Sequence, residues 1–129
     1  MSTMEHVVEN VTSAEHSGVG TLTEEELALI GRVREAYQSL IPIPCTKCDY
    51  CQPCPSGVSI PRIFNIYNEL TMYGGLDRAQ MIYNNWVKPE SRADQCTECG
   101  ECEEKCPQQI EIIDWLKKAH AALVSETQS

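Results

Sequence analysis

Apolar residues recur at helical spacing in five stretches of the chain, and no stretch shows the strict alternation of a half-buried strand. Val7, Val8 and Val11 mark one side of a short amphipathic helix over 1–16, which Ser17, Gly18 and Gly20 break into a flexible link. A second helix is predicted to start at Thr23. Thr23 and Glu26 have the spacing of a capping box, and Glu24 and Glu25 suit the positive end of the helix dipole. Leu27, Ile30, Val33, Tyr37 and Leu40 continue its apolar face until Pro42 and Pro44 stop it. Pro61 suits the first turn of a third helix whose broad face is Ile63, Phe64, Ile66, Tyr67, Leu70 and Tyr73, with Gly74 and Gly75 at its end. A fourth helix is predicted over 77–86, with Pro89 closing the region, and a last one over 112–124 with Ile113, Leu116, His120 and Leu123 on one side. Tyr37, Tyr67 and His120 fall at apolar helical positions and read as core residues. The expected class is mostly α.

The segments before the third helix and before the last helix carry all eight cysteines. The first reads Cys45-x2-Cys48-x2-Cys51-x2-Cys54-Pro55 and the second Cys96-x2-Cys99-x2-Cys102-x3-Cys106-Pro107. Three thiolates at three-residue steps can wrap one corner of a cuboidal iron–sulfur cluster, with the loop amides aimed at the sulfurs. The loop cannot encircle the cube, so the fourth thiolate comes from elsewhere. In two-cluster ferredoxins the cysteine before proline ligates the other cluster. By that rule Cys45, Cys48, Cys51 and Cys106 hold one [4Fe–4S] cluster, and Cys96, Cys99, Cys102 and Cys54 hold a second. The first motif departs from the usual spacing, with two residues rather than three between Cys51 and Cys54, which leaves the role of Cys54 open. The rival metal is zinc (Zn) in sites of four thiolates, although zinc usually pairs two Cys-x2-Cys knuckles across a longer loop. Gly57 and Gly100 would let the backbone approach a cluster, or serve ordinary turns. Ile43, Val58, Ile60, Ile110 and Ile112 flank the motifs and would shield clusters from water.

Composition sharpens this picture. A chain of 129 residues with one Phe and two Trp builds a thin core, which a metal staple would reinforce. The formal charge of −9 argues against nucleic acid and against an anionic membrane surface. It suits a basic redox partner, or simple solubility. Two clusters, each about −2 with four thiolates, would take the total to about −13. Lys47 and Lys105, inside the motifs, would offset a little of it. No apolar run approaches a membrane span, and residues 1–10 lack the basic and apolar regions of a signal peptide. Cysteines without an export signal point to metal rather than disulfides, and to the cytoplasm.

The stretch from Ile43 to Asn68, with Pro-Cys-Thr-x-Cys-x-Tyr-Cys-x-Pro-Cys-Pro-x-Gly-Val-x-Ile-Pro, resembles the iron–sulfur tail of a family of aldo/keto reductases. Cys96 to Trp115 resembles it too, and the short first motif is similar to that family's own pattern. The helical spacer is similar to the alpha-helical ferredoxin fold. The resemblance implies an alpha-helical ferredoxin-like domain over 21–125 with two cysteine-rich cluster-binding loops. Residues 1–20 would then be the last helix of an upstream catalytic barrel plus a linker. Ser2 to Asn10 resembles the last barrel loop and helix, where a Glu-Asn pair helps hold the adenosine half of NADPH. By that match Thr3, Glu9 and Asn10 would touch NADP(H), with His6 where the family often has Arg or Gln. A surface helix without a ligand is the competing reading. The barrel's catalytic Tyr, Lys, Asp and His would lie upstream, and no catalytic residue is found within this chain. The expected function is electron transfer for an NAD(P)-linked oxidoreductase. The alternatives are a structural or interaction module with zinc or redox-silent clusters, and a stand-alone two-cluster ferredoxin.

Overall fold

A computed structural model of the chain describes residues 2–124. Met1 and residue 125, the limits of the expected first helix and of the expected ferredoxin-like domain, lie outside the described residues. The described chain is mostly helical, with no strand among the described residues. Six α-helices follow one another: α1 (Met4–His16), α2 (Glu24–Leu40), α3 (Ile60–Tyr73), α4 (Leu76–Trp86), α5 (Glu101–Glu104) and α6 (Ile112–Leu123). Short 3₁₀ turns at Pro89–Ser91 and Ala93–Gln95 lead into the second cysteine motif. The chain divides into two compact units, the first ending at Ala36 and the second starting at Tyr37.

The first unit is made of local interactions. Thr3 caps α1, its hydroxyl accepting from the His6 amide at 3.4 Å. At α2 the predicted capping box forms in both directions. The Thr23 amide donates to Glu26 at 2.8 Å and the Glu26 amide donates to the Thr23 hydroxyl at 3.3 Å. These bonds hold the Glu26 carboxyl below its ordinary pKa. Neither α1 nor α2 buries a residue. The apolar stripes predicted from the sequence are there, but they stay open, and Tyr37 is 55% exposed rather than part of the core. Helical periodicity marks a face that can be covered; it does not supply the cover.

The core belongs to the second unit, built by α3, α4 and α6. Ile60, Ile63, Phe64 and Ile66 of α3 meet Leu116, Ala119 and Leu123 of α6 and Ala79 and Tyr83 of α4. Tyr67 and His120, expected in the core, are half-buried at its edge, Tyr67 with its ring 6.0 Å from that of Trp115. Tyr83 ties the layers together. Its buried hydroxyl accepts from the Ala93 amide at 3.0 Å and lies 2.8 Å from His120 Nδ1. Replacing Tyr83 with Phe keeps the ring but orphans a buried amide, at a cost of about 1–3 kcal/mol. Denaturant unfolding of the metal-loaded chain is the measurement, and an unchanged midpoint would contradict this assignment. Arg92 closes the end of α4 by donating to the carbonyls of Asn84 at 2.6 Å and Val87 at 3.2 Å. Cations suit helix C-termini for the dipole reason as well.

The second unit contains a structural repeat. Each cysteine loop is followed by a Cys-Pro pair, a left-handed residue, a buried aliphatic and then a helix. Gly57, Val58 and Ile60 lead into α3 as Gln109, Ile110 and Ile112 lead into α6. The turn bonds match as well, with Gly57 N donating to Cys54 O at 2.9 Å and Gln109 N to Cys106 O at 3.1 Å. The repeat anticipated from the cysteine spacing thus extends through the first turns of two packed helices.

Candidate metal centre

The loops themselves fold alike. In the first, Lys47 (φ 56°) and Asp49 (φ 62°) flank Cys48; in the second, Glu98 (φ 56°) and Gly100 (φ 81°) flank Cys99. Three of these four are not glycine, so the left-handed backbone is imposed against residue preference, as happens at functional loops. It turns the chain around each central cysteine. Gly57 is left-handed too, at φ 75°, a backbone that side chains other than glycine rarely adopt.

Side chains distant in sequence hold the first loop. Asn68 on α3 clasps Ile43 from both sides, accepting from its amide at 3.1 Å and donating to its carbonyl at 2.8 Å. The clasp anchors the chain two residues before Cys45. Gln52 bridges the short Cys51–Cys54 step, its amide group donating to Val58 O at 3.0 Å and accepting from Cys54 N at 3.3 Å. Neither residue stood out in the sequence, since an isolated Asn or Gln carries no signal until its partner is near. The second motif has an extra residue, and α5 takes it up as one helical turn.

All eight cysteines are free thiols. Cys45, Cys48, Cys51 and Cys106 line one cavity, together with Ile60, Phe64, Ile110 and Ile112. Burial pushes the Cys45 and Cys51 thiols above their ordinary pKa, and negative charge on Cys48 and Cys106 pushes them further. On the other side, burial pushes the Cys102 thiol up to about 11, with smaller contributions from Glu103, Cys96 and Cys54. The Ser56 and Thr97 hydroxyls, 2.8 Å apart, join the segment after Cys54 to the second motif. Cys99 is exposed in the same loop as Cys96 and Cys102. Cys106 thus lines the same cavity as the first three cysteines, and Cys54 and Cys96 both act on the Cys102 thiol.

These groups fit an iron–sulfur cluster. The first cavity offers sulfur ligands in an apolar pocket, and burial penalises thiolate charge until metal takes it up. Among the described residues no group of three or more His, Cys, Asp or Glu converges closely enough for a single metal ion. A tetrahedral zinc site would need sulfurs about 2.3 Å from one centre. Ile43, Val58, Ile60, Ile110 and Ile112 are all buried, as their flanking positions suggested. Thr3 sits at the start of α1, and Glu9 and Asn10 are exposed along it.

No helix among the described residues is long and apolar enough to cross a membrane. No curated protein and no solved structure matches the chain. The family model of the 4Fe-4S dicluster domain matches residues 44–111, a span that contains both cysteine motifs and the α3–α4 spacer between them. With thiols gathered as that domain requires and a matching family model over the same residues, the chain belongs to the 4Fe-4S dicluster domain family and carries an iron–sulfur electron-transfer module.

Proposed function

We propose that this module relays single electrons between a donor protein and the NAD(P)-linked chemistry of an aldo/keto reductase-type barrel on the same polypeptide. The observation that carries the relay is that the thiols of both motifs share one packed unit, gathered across the motifs. In this reading Cys45, Cys48, Cys51 and Cys106 hold one [4Fe–4S] cluster, and Cys96, Cys99, Cys102 and Cys54 the other. Each bound cluster supplies a one-electron couple. The protein's own residues fix the sulfurs, aim amides at them and exclude water with the flanking isoleucines. Exposed Cys48 and Cys99 mark where each set comes nearest the surface.

The barrel is supported by the resemblance in the cysteine motifs and by the open side of α1. Val7, Val8 and Val11 are 37%, 58% and 51% exposed, as suits a segment whose packing partner is another domain. Thr3, Glu9 and Asn10 would there face the adenosine half of NADP(H). The free thiols call for a reducing compartment, the cytoplasm in this proposal.

An anaerobic redox titration tests the relay. Two one-electron couples within the roughly −700 to +450 mV span of biological clusters are expected. A preparation that takes up no electrons would make the metal a staple. The reading frame upstream of Met1 tests the barrel: a catalytic Tyr, Lys, Asp and His set there supports it, and its absence would leave a stand-alone ferredoxin.

A further inference from the structure

The structural repeat puts two different side chains at one pair of bracing positions. Gln52 follows Cys51 and Glu103 follows Cys102, so the two residues occupy equivalent places after the third cysteine of each loop. Both side chains fold back to brace the segment leading into the next helix. Gln52 donates to Val58 O, and Glu103 accepts from Ile113 N at 2.9 Å in the first turn of α6. Both are half-buried. The bracing role is shared, but only one of the two carries a charge.

Neighbouring charges leave this difference standing. Glu98 and Glu101 in the second loop are paired with Lys117 at 2.9 Å and Lys105 at 3.1 Å. Glu104 is exposed to water, where a charge is well screened. Glu103 is pinned by its bond from Ile113 N and adjoins Cys102, the most buried cysteine. In the first loop Lys47 and Asp49 flank Cys48 with opposite charges, so that loop carries no net charge beyond its cysteines. A fixed negative charge disfavours adding an electron, and a positive one favours it.

We propose that Glu103 sets the cluster of Cys96, Cys99, Cys102 and Cys54 at a lower potential than the cluster of Cys45, Cys48, Cys51 and Cys106, so that electrons pass from the former to the latter. The inference rests on the ligand assignment proposed above. In the step, the reduced second cluster loses one electron and the first gains it; no bond is made or broken and no proton moves. Dithionite serves as the external reductant in the test.

The test is an EPR-monitored titration of the full chain, reconstituted anaerobically, with Cys106→Ala as a background that isolates the second cluster. Glu103→Gln keeps an acceptor for Ile113 N and removes the charge. It is expected to raise the second cluster's midpoint by about tenfold in electron affinity (~59 mV for one electron) and to leave the first unmoved. Glu103→Asp, which retains the charge, is expected to keep the low value. Gln52→Glu is expected to lower the first cluster's midpoint by a similar factor, and this arm stands if Glu103→Gln fails to assemble. Midpoints that stay put in the Gln52 and Glu103 variants, or that move together, overturn the inference. An iron-free preparation, or a Cys106→Ala protein retaining both clusters, defeats the ligand assignment instead.

Discussion

Stripping iron from the chain under anaerobic conditions is expected to abolish the cooperative unfolding of the second unit. Its buried core includes Cys102. Cys45, Cys51, Cys54, Cys96 and Cys106 pack directly against that core. Without metal, the loops keep left-handed backbone at Lys47, Asp49 and Glu98 with nothing at the centre to hold it. Each such residue costs about 1–3 kcal/mol. Domains of this size are stable by only about 5–15 kcal/mol, and structural metal sites contribute on that same scale. Calorimetry on loaded and chelated protein makes the comparison. The loaded form is expected to contain about eight iron and eight sulfide per chain and to melt in one sharp transition. A chelated sample with the same transition would show that the helices hold the loops without any cluster. The helicity of α1 and α2, which bury nothing in the core, is expected to respond least.

Replacing Cys106 with Ala is expected to remove the cluster of the first motif, although the substitution lies in the second. The Cys106 sulfur shares a cavity with Cys45, Cys48 and Cys51, and its charge raises the pKa of Cys45 and Cys51. Cys54→Ala is the reciprocal experiment and should cost the cluster of Cys96, Cys99 and Cys102. Each variant should lose about half of its iron, roughly four atoms per chain, and one of its two EPR signals. The surviving signal identifies which cluster went. If Cys106→Ala instead spared the first motif's cluster and destroyed its own, each loop would be closing on its own final cysteine. That result would remove the cross-link between the halves of the second unit.

Much of this architecture could be read from the chain alone, and the reason is that the signals are local. A helix declares itself through neighbours three and four residues apart, so α2, α3, α4 and α6 fell close to their predicted limits. The Thr23–Glu26 box needs no residue beyond its own first turn. The three-residue cysteine step is likewise a local statement of chemistry, and the isoleucines beside it are buried where their positions implied. Short elements were not legible. The α5 turn and the 3₁₀ turns before it contain too few residues to show a period.

What the chain alone determined was the set of helices, the sulfur ligands on offer and the negative charge around them. The tertiary structure decided which thiols stand together, because Cys106 reaches Cys45 only after α3 and α6 have packed. It also decided that Asn68 would clasp a backbone 25 residues away, and that Glu103 and Gln52 would brace equivalent places with different charge. The left-handed turns at Lys47, Asp49 and Glu98 belong with these, since few side chains favour that backbone and the closed loop must impose it. So does the fate of the apolar stripes on α1 and α2. A stripe is written in a helix's own residues, but its cover is supplied by another surface, and burial is a property of the pair.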